Sequence, residues 1–254
     1  MTARVALLSC DDSPVLSKRA RRGVGLVLAL LLACAALACS SPPTCPPNKL
    51  TEAEAELGWQ LLFDGETLAG WELFGKPGQH TGWQVVDGTL ARTGSGGDLI
   101  TDRAFADFEL QLEWRISEGG NSGIFYRVAT DTDAVWRTGP EMQVLDNTQH
   151  PDGRSPYTSA GANYALYAPL RDATRPVGEW NRVHIVVKGN HVEHWLNGER
   201  QCEYEIGSEE WEQRVASSKF ASMPRYGREP KGHIALQDHG DLVWYRGIKV
   251  RALN

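Results

Sequence analysis

The nine residues Phe108-Glu109-Leu110-Gln111-Leu112-Glu113-Trp114-Arg115-Ile116 alternate apolar and polar side chains without a break. An extended strand turns every second side chain to the same face, so this segment offers one face to a core and the other to water. A helix would scatter the same five apolar residues around its axis. The pattern returns from Arg182 to Lys188, with Val183, Ile185 and Val187 on one side, and again from His191 to Leu196. Lys188-Gly189-Asn190 and Asn197-Gly198 supply the hairpin turns between such strands. From Trp59 to Leu253 strand patterns are separated by Gly, Asp, Asn and Pro, while helical periodicity is nearly confined to a short segment at Glu52 to Leu57. The expected fold is an all-β sandwich. About 195 residues suffice for one large core, and no linker or repeat marks a second domain.

The N-terminal region reads as an address. Lys18, Arg19, Arg21 and Arg22 precede an uncharged apolar run from Gly23 to Ala33, the pattern of a secretion signal and too short for a comfortable membrane span. Leu31-Leu32-Ala33-Cys34 and Ala36-Leu37-Ala38-Cys39 both resemble the lipobox of bacterial lipoproteins. Cys39 is preferred, because the polar Ser40-Ser41-Pro42-Pro43 tether follows it at once. The expected organisation is a lipoprotein signal over residues 1–39, a tether over 40–56 and the sandwich over 57–254, with the chain anchored to the cell envelope through lipid on Cys39. Residues 1–38 carry five of the 26 Lys and Arg and two of the 32 Asp and Glu, so the remainder holds 21 against 30, a formal charge of −9. That acidity, with no basic cluster or phosphate loop, argues against a nucleic-acid partner. Beyond Cys39 only Cys45 and Cys202 remain. A disulfide between them is compatible with an oxidising compartment but not required.

Chemistry concentrates near the C-terminus. In Gly232-His233-Ile234-Ala235-Leu236-Gln237-Asp238-His239-Gly240 an apolar strand runs directly into polar and ionisable residues. Such strand ends carry sites, although a polar hairpin turn explains the same composition.

Several strings occur in a single order: Leu61-Leu62-Phe63-Asp64-Gly65, Gly70-Trp71, Asp107-Phe108-Glu109-Leu110, Gly120-Asn121-Ser122-Gly123-Ile124-Phe125, Glu141-Met142-Gln143-Val144-Leu145-Asp146-Asn147, Gly178-Glu179-Trp180-Asn181 and His194-Trp195-Leu196-Asn197-Gly198, followed by the segment around His239. Together they resemble the 3-keto-disaccharide hydrolase domain family, long catalogued as a domain of unknown function. The resemblance spans essentially everything after the tether. It implies a concanavalin A-like jelly-roll sandwich and action on 3-keto sugars or their glycosides, neither of which follows from alternation alone.

Ordinary glycoside hydrolysis needs two carboxyl groups, roughly 5 to 5.5 Å apart for retention or roughly 6.5 to 9.5 Å for inversion. On the strand Glu141-Met142-Gln143-Val144-Leu145-Asp146, the residue that shares a face with Glu141, at about 6.6 Å, is the amide Gln143, and Asp146 points to the other face. A 3-keto sugar opens a route with one base, because the ketone acidifies the C2 proton and the C1 oxygen is then a β leaving group. The site must take that proton, hold the enolate oxygen and assist the departing alcohol before water adds. Glu141 and His239 are the candidate bases, and Arg127, Gln143 or a bound cation the candidate enolate partners. No cofactor is specified; a divalent cation on Glu141, Asp146 and His239 suits the chemistry, but no compact ligand spacing supports it.

Other residues carry two readings. Asn121-Ser122-Gly123 presents polar groups to a sugar or forms a tight turn. Arg127 shares a strand face with Gly123 and Phe125, as a substrate contact or a structural ion pair. His191, Glu193 and His194 resemble part of a metal motif, but alternation separates His194 from the other two, and all three are expected on the sheet surface. The loop from Asp146 to Tyr167, with His150 and Tyr164, suits the rim of a sugar cleft, and Trp136 is the plausible exposed ring. Glu141, Gln143, Gln237, His239 and Arg127 are expected to meet in one pocket roofed by that loop, with Asn121, Asp146, His150, Tyr164 and Asp238 contributing to sugar binding. The expected activity is cleavage of 3-keto-glycosides by elimination and hydration. A carbohydrate-binding module without chemistry is the main rival, and a structural surface domain would not need the ionisable cluster.

Overall fold

The computed structural model describes residues 46–253. The signal, Cys39 and Cys45 lie outside that range. In chain order the described residues form α1 (Glu52–Glu56), β1 (Trp59–Leu61), β2 (Trp71–Leu73), β3 (Trp83–Val86), β4 (Thr89–Arg92), β5 (Leu99–Thr101), β6 (Phe108–Ile116), β7 (Asn121–Val128), β8 (Glu141–Leu145), β9 (Asn181–Lys188), β10 (His191–Leu196), β11 (Glu199–Glu205), α2 (Glu209–Ala216), β12 (His233–Leu236) and β13 (Val243–Ala252). Antiparallel pairing builds an eight-stranded sheet ordered β11-β10-β9-β6-β13-β4-β3, with β1 also on β13, and a five-stranded sheet ordered β2-β5-β12-β7-β8. The two sheets form a jelly-roll sandwich.

Strand β6 fills the role its alternation assigns. Every odd member from Phe108 to Ile116 is buried and every even one is partly exposed. Leu110 pairs with Ile185 on one side and Val250 on the other, and all three join Ile124, Tyr126, Met142 and Val144 of the smaller sheet in one core. On the outer face Arg115 lies over both Trp180 and Trp244, and Arg246 over Trp180, so the cations cover aromatic surface that would otherwise meet water. At the N-terminal end Asn48 donates to the Gly88 carbonyl and accepts from the Gly247 amide. Thr51 closes a capping box with Glu54 at the start of α1.

The smaller sheet is different, because β7 and β8 are buried on both faces. One face meets the core; on the other, Phe125 packs against Val135 and Ala235, while Glu141 and Gln143 face Asp152, Tyr164 and Lys219 of the long connections. Asn121-Ser122-Gly123 is therefore not a tight turn: it is the start of β7, held extended by pairing with Leu145, Val144 and Gln143.

Two expectations fail here. Arg127 takes a left-handed backbone, φ 56°, where β7 and β12 slip register, and the bulge removes it from the face shared by Gly123 and Phe125. Its guanidinium donates to the carbonyls of Gly227, at 2.8 Å, and Gly189, tying two loops together. His194 is not surface: it shares the inner face of β10 with Val192 and Leu196 and is fully buried, 2.9 Å from the Tyr126 hydroxyl. Burial pushes its imidazole down to about 3, so it packs as a neutral ring between Tyr126 and Tyr204. His191 and Glu193 do lie on the partly exposed face.

Candidate functional site

On the outer face of the five-stranded sheet, under the covering connections, lies a pocket of about 80 Å³ lined by Asn121, Glu141, Gln143, Asp152, Tyr164, Lys219, Gln237 and His239. Its floor comes from strands. Glu141 and Gln143 are alternate residues of β8, Asn121 begins β7, and Gln237 follows the end of β12, where its backbone N–H donates to the Gly123 carbonyl. Gly123 has a steric purpose, since a Cβ there would overlap the Glu141 carboxyl. The Gly in Asn121-Ser122-Gly123 thus makes room for an acid on the neighbouring strand.

The roof comes from loops. His150 accepts from the Asp152 backbone N–H at 3.1 Å, capping a 3₁₀ turn over Pro151–Arg154 that sets Asp152 toward the pocket. The Tyr164 hydroxyl reaches Asp152 Oδ2 at 3.4 Å. Lys219 sits in the turn after α2, between the buried anchors Val215 and Phe220, and its Nζ lies 4.1 Å from the Tyr164 ring centre. His239 stands at the mouth with its side chain 47% exposed, Nδ1 3.9 Å from Asp241. Its ring meets that of His150 edge-on at 5.9 Å.

Glu141 is 6% exposed. Burial is the largest influence on its carboxyl and pushes it up to about 8; Lys219 opposes the shift, and the nearby Asp98 and Asp152 add to it. Burial also lowers Lys219, against the pull of Glu141 and Asp152. Among the described residues no carboxylate lies within ion-pair distance of Lys219, whose ammonium lies over the Tyr164 and Phe220 rings. Asp98 is raised to about 6, mainly by burial, while the Asp238 backbone N–H bonds it.

Four buried side-chain atoms at the floor have no hydrogen-bond partner among the described residues: Gln143 Oε1 and Nε2, Asn121 Oδ1 and Gln237 Oε1. Leaving such groups unmade costs about 1–3 kcal/mol each, and here they concentrate around one carboxyl.

The structure thus brings together Glu141, His239, Asn121, Gln143, Tyr164 and Gln237, with His150 at the rim. It separates three others. Asp146 accepts from the backbone N–H groups of Gly119, Thr148 and Gln149 and from the Thr148 hydroxyl, which makes it the knot of a turn. Asp238 pairs with Arg92 at 2.6 Å and accepts from Gly96 and Gly97, because the residue between Gln237 and His239 on an extended chain points the other way. Arg127 is committed to loop carbonyls. A cation on Glu141, Asp146 and His239 therefore has no geometric basis. Among the described residues the one group of potential ligand atoms within 4.8 Å of each other is His191, Glu193 and Glu203, on β10 and β11 of the other sheet.

Sequence reasoning missed Lys219 and Asp98 and gave Asp152 no role beyond the loop. The turn after α2 is separated from Glu141 by most of the chain, and no local pattern links them. Trp136 is 38% exposed, as expected. Cys202 is a buried free thiol, pushed up to about 12 by burial.

The architecture is a jelly-roll sandwich with an acid-bearing polar pocket on its smaller sheet. The chain belongs to the 3-keto-alpha-glucoside-1,2-lyase-like domain family, whose model matches residues 58–251. A 3-keto-disaccharide hydrolase of Bacteroides thetaiotaomicron is 34% identical over 230 residues, which cover 78% of this chain and 79% of that protein. The crystal structure of a candidate glycosyl hydrolase from Parabacteroides distasonis superposes with a TM-score of 0.76 at 36% identity, covering 82% of this chain and 99% of that one. A second such structure from the same organism gives 0.64 at 27% identity, covering 77% and 99%.

Proposed function

We propose that this protein cleaves 3-keto-glucosides or related 3-keto-disaccharides by eliminating the glycosidic oxygen and then adding water. The observation that carries the reading is Glu141: a buried carboxyl with no side-chain hydrogen bond among the described residues, in one pocket with the Lys219 ammonium and with amides left unpartnered. Family membership and the name of the Bacteroides relative support the substrate class.

In this scheme the Glu141 carboxylate takes the C2 proton. The C2–H electron pair moves toward C3, and the developing oxygen charge is met by the Lys219 ammonium and the Gln143 amide N–H. As the enolate collapses, the C1–O bond breaks and the departing alkoxide takes a proton from His239 at the mouth. Water then adds across C1 and C2 of the unsaturated sugar: its hydroxyl bonds C1, the proton it gives up restores His239, and a proton returns to C2 from Glu141. The net reaction consumes one water and releases one alcohol and one 3-keto sugar.

Asp152 favours a second reading, because it brings another carboxyl into the pocket that the strand pattern did not supply. With Glu141 as acid and Asp152 as base or nucleophile, an ordinary glucoside would be a substrate. The two readings diverge sharply. Elimination requires the ketone, so a 3-keto-glucoside should react while the parent glucoside stays inert, and deuterium from solvent should appear at C2. Comparable turnover of both glucosides would overturn elimination. The pH profile separates them again: a basic Glu141 gains activity as pH rises through about 8, and an acidic Glu141 loses it over the same range.

We further propose that the protein is anchored to the bacterial cell envelope by a diacylated Cys39. The small residues before that cysteine and the tether after it support this reading. Metabolic labelling with a lipid precursor tests it, and a Cys39→Ser variant that keeps the label would move the anchor elsewhere.

A further inference from the structure

The floor of the reaction pocket continues along the sheet beyond Gln237. Leu99 and Leu236 pair across β5 and β12 and both belong to the core between the sheets, whereas Ile100 and Ala235, one residue further into each strand, pack with Phe125 on the outer face. Alternation therefore puts Asp98, just before Leu99, and Gln237, just after Leu236, side by side on that outer face. The Gln237 backbone N–H donates to the Gly123 carbonyl, and Gly123 stands opposite Gln143. One row thus crosses the adjacent strands β8, β7, β12 and β5: Gln143, Gly123, Gln237, Asp98. The Glu141 carboxyl occupies the space over Gly123, in the middle of the row. Phe74, whose N–H donates to the Asp98 carbonyl, packs with the outer apolar cluster and ends it.

Asp98 is a carboxyl left half-engaged. Its Oδ1 accepts from the Asp238 backbone N–H at 2.9 Å, while among the described residues no donor and no ion pair engages Oδ2; Arg92, the nearby cation, pairs with Asp238 instead. It is not an open surface group either, since burial raises it to about 6, and its charge is among those that push Glu141 upward.

The proposed reaction fixes how a pyranose lies along this row. The C3 oxygen meets Gln143 and the C2 proton faces Glu141, so the opposite edge of the ring turns toward Gln237 and Asp98. Across the ring from C3 lies the ring oxygen, flanked by C1 with the departing alcohol and by C5 with the hydroxymethyl group. The alcohol leaves toward His239 at the mouth, which turns the C6 hydroxyl to the closed end of the row. Three strand spacings separate Gln143 from Asp98, about 14 Å between backbones, a span for one sugar ring and the side chains that hold its two ends.

We propose that the Asp98 carboxylate accepts a hydrogen bond from the C6 hydroxyl and so selects 3-keto-hexosides over 3-keto-pentosides. The proposal rests on the elimination reading, which sets the orientation of the ring; Asp98 takes no part in the proton transfers.

The test compares kcat/KM of the full-length protein for methyl 3-keto-glucoside and methyl 3-keto-xyloside, which differ only in the hydroxymethyl group. The parent should prefer the glucoside by about thirtyfold, the worth of a hydrogen bond to a charged acceptor. Asp98→Asn keeps an acceptor for the Asp238 N–H but removes the charge, and should cut the preference to about fivefold, that of a neutral hydrogen bond. Asp98→Ala should cut it below about twofold. If Asp98 served only to hold the Asp238 backbone, both substrates would slow together and the preference would survive, which would overturn the proposal. A parent that turns over both glycosides without preference would also overturn it and leave the reaction scheme intact. Calorimetric titration with 1,5-anhydro-3-keto-glucitol and its xylitol counterpart, which carry no leaving alcohol, reads the same ratio as affinity. A preference there that Asp98→Asn weakens, with no turnover of either glycoside, would uphold the Asp98 contact and count against the reaction scheme alone; absence of both binding and turnover would overturn both.

Discussion

The floor and the roof of the reaction pocket are built by opposite means. The floor residues Asn121, Glu141, Gln143 and Gln237 are positioned by sheet register: Gly123 opposite Gln143 and Phe125 opposite Glu141 fix the acid and the amides with little freedom. The roof residues Asp152, Tyr164 and Lys219 hang from connections held by caps and aromatic anchors, such as His150 accepting from Asp152 and Phe220 stacked on Tyr226 at 3.9 Å. Rigid strands suit groups whose geometry must not drift, and loops suit groups that must admit a substrate. In the proposed reaction the floor supplies the base, Glu141, and the roof supplies the cation, Lys219, while Gln143 of the floor shares the developing oxygen charge.

The sharpest way to break that division is to remove one member from each side. Glu141→Gln takes the base from the floor and keeps its shape. Its turnover of a 3-keto-glucoside should fall by about 10³-fold, within the usual range for a general base, with the circular dichroism spectrum unchanged. Lys219→Met keeps the length and apolar stem of the roof cation but removes its charge. It should cost about 10²-fold, the lower end for loss of one transition-state charge partner. Steady-state kinetics on both variants decide the matter, and a Lys219→Met effect exceeding that of Glu141→Gln would reverse the assignment.

The same division explains what could be read from the chain. Alternation in β6, β9 and β10 made the sandwich legible, and the two-residue period correctly put Glu141 with Gln143 and Gln237 with His239. It also contains the information that corrects two expectations: the period that pairs Gln237 with His239 turns Asp238 toward Arg92, and the one that separates His194 from His191 places it with Val192 and Leu196 in the core. Arg127 was lost for another reason, because a bulge breaks the period and leaves no mark that Arg127-Val128 reveals by itself. Lys219 depends on how a helix after β11 packs beneath the smaller sheet, a long-range event with no local periodicity.

His194 offers a test within the framework rather than the pocket. Replacing it with Asn removes a fully buried ring and its bond to Tyr126, so the expected loss is about 2 kcal/mol, within the range for a core truncation that also unmakes a hydrogen bond. Urea unfolding monitored by tryptophan fluorescence measures it. A loss below about 0.5 kcal/mol would mean that the ring is not held as described.

Glu141 should also leave a mark on stability. Its folded carboxyl is raised from 4.5 to about 8, so its contribution to folding is complete below pH 4.5 and is lost as pH rises toward 8. Glu141→Gln abolishes that titration. The variant should therefore gain melting temperature relative to the parent on going from pH 5 to pH 8, by about 3 °C if the difference is about 1 kcal/mol. Equal shifts at both pH values would show that the carboxyl is not strained by burial, and would weaken its claim to be the base.

The smallest expected effect belongs to His239, which lies between floor and roof and faces solvent. A proton donor there matters only when the departing oxygen is basic, and water at the open mouth can partly replace it. His239→Asn should thus slow cleavage of a 3-keto-disaccharide by about tenfold, below the usual span for a buried acid. With a nitrophenyl 3-keto-glucoside, whose phenolate leaves unaided, the loss should shrink to less than about twofold. Equal losses on the two substrates would remove His239 from proton transfer and leave it as a wall of the pocket; a loss of about 10³-fold on both would make it, rather than Glu141, the base.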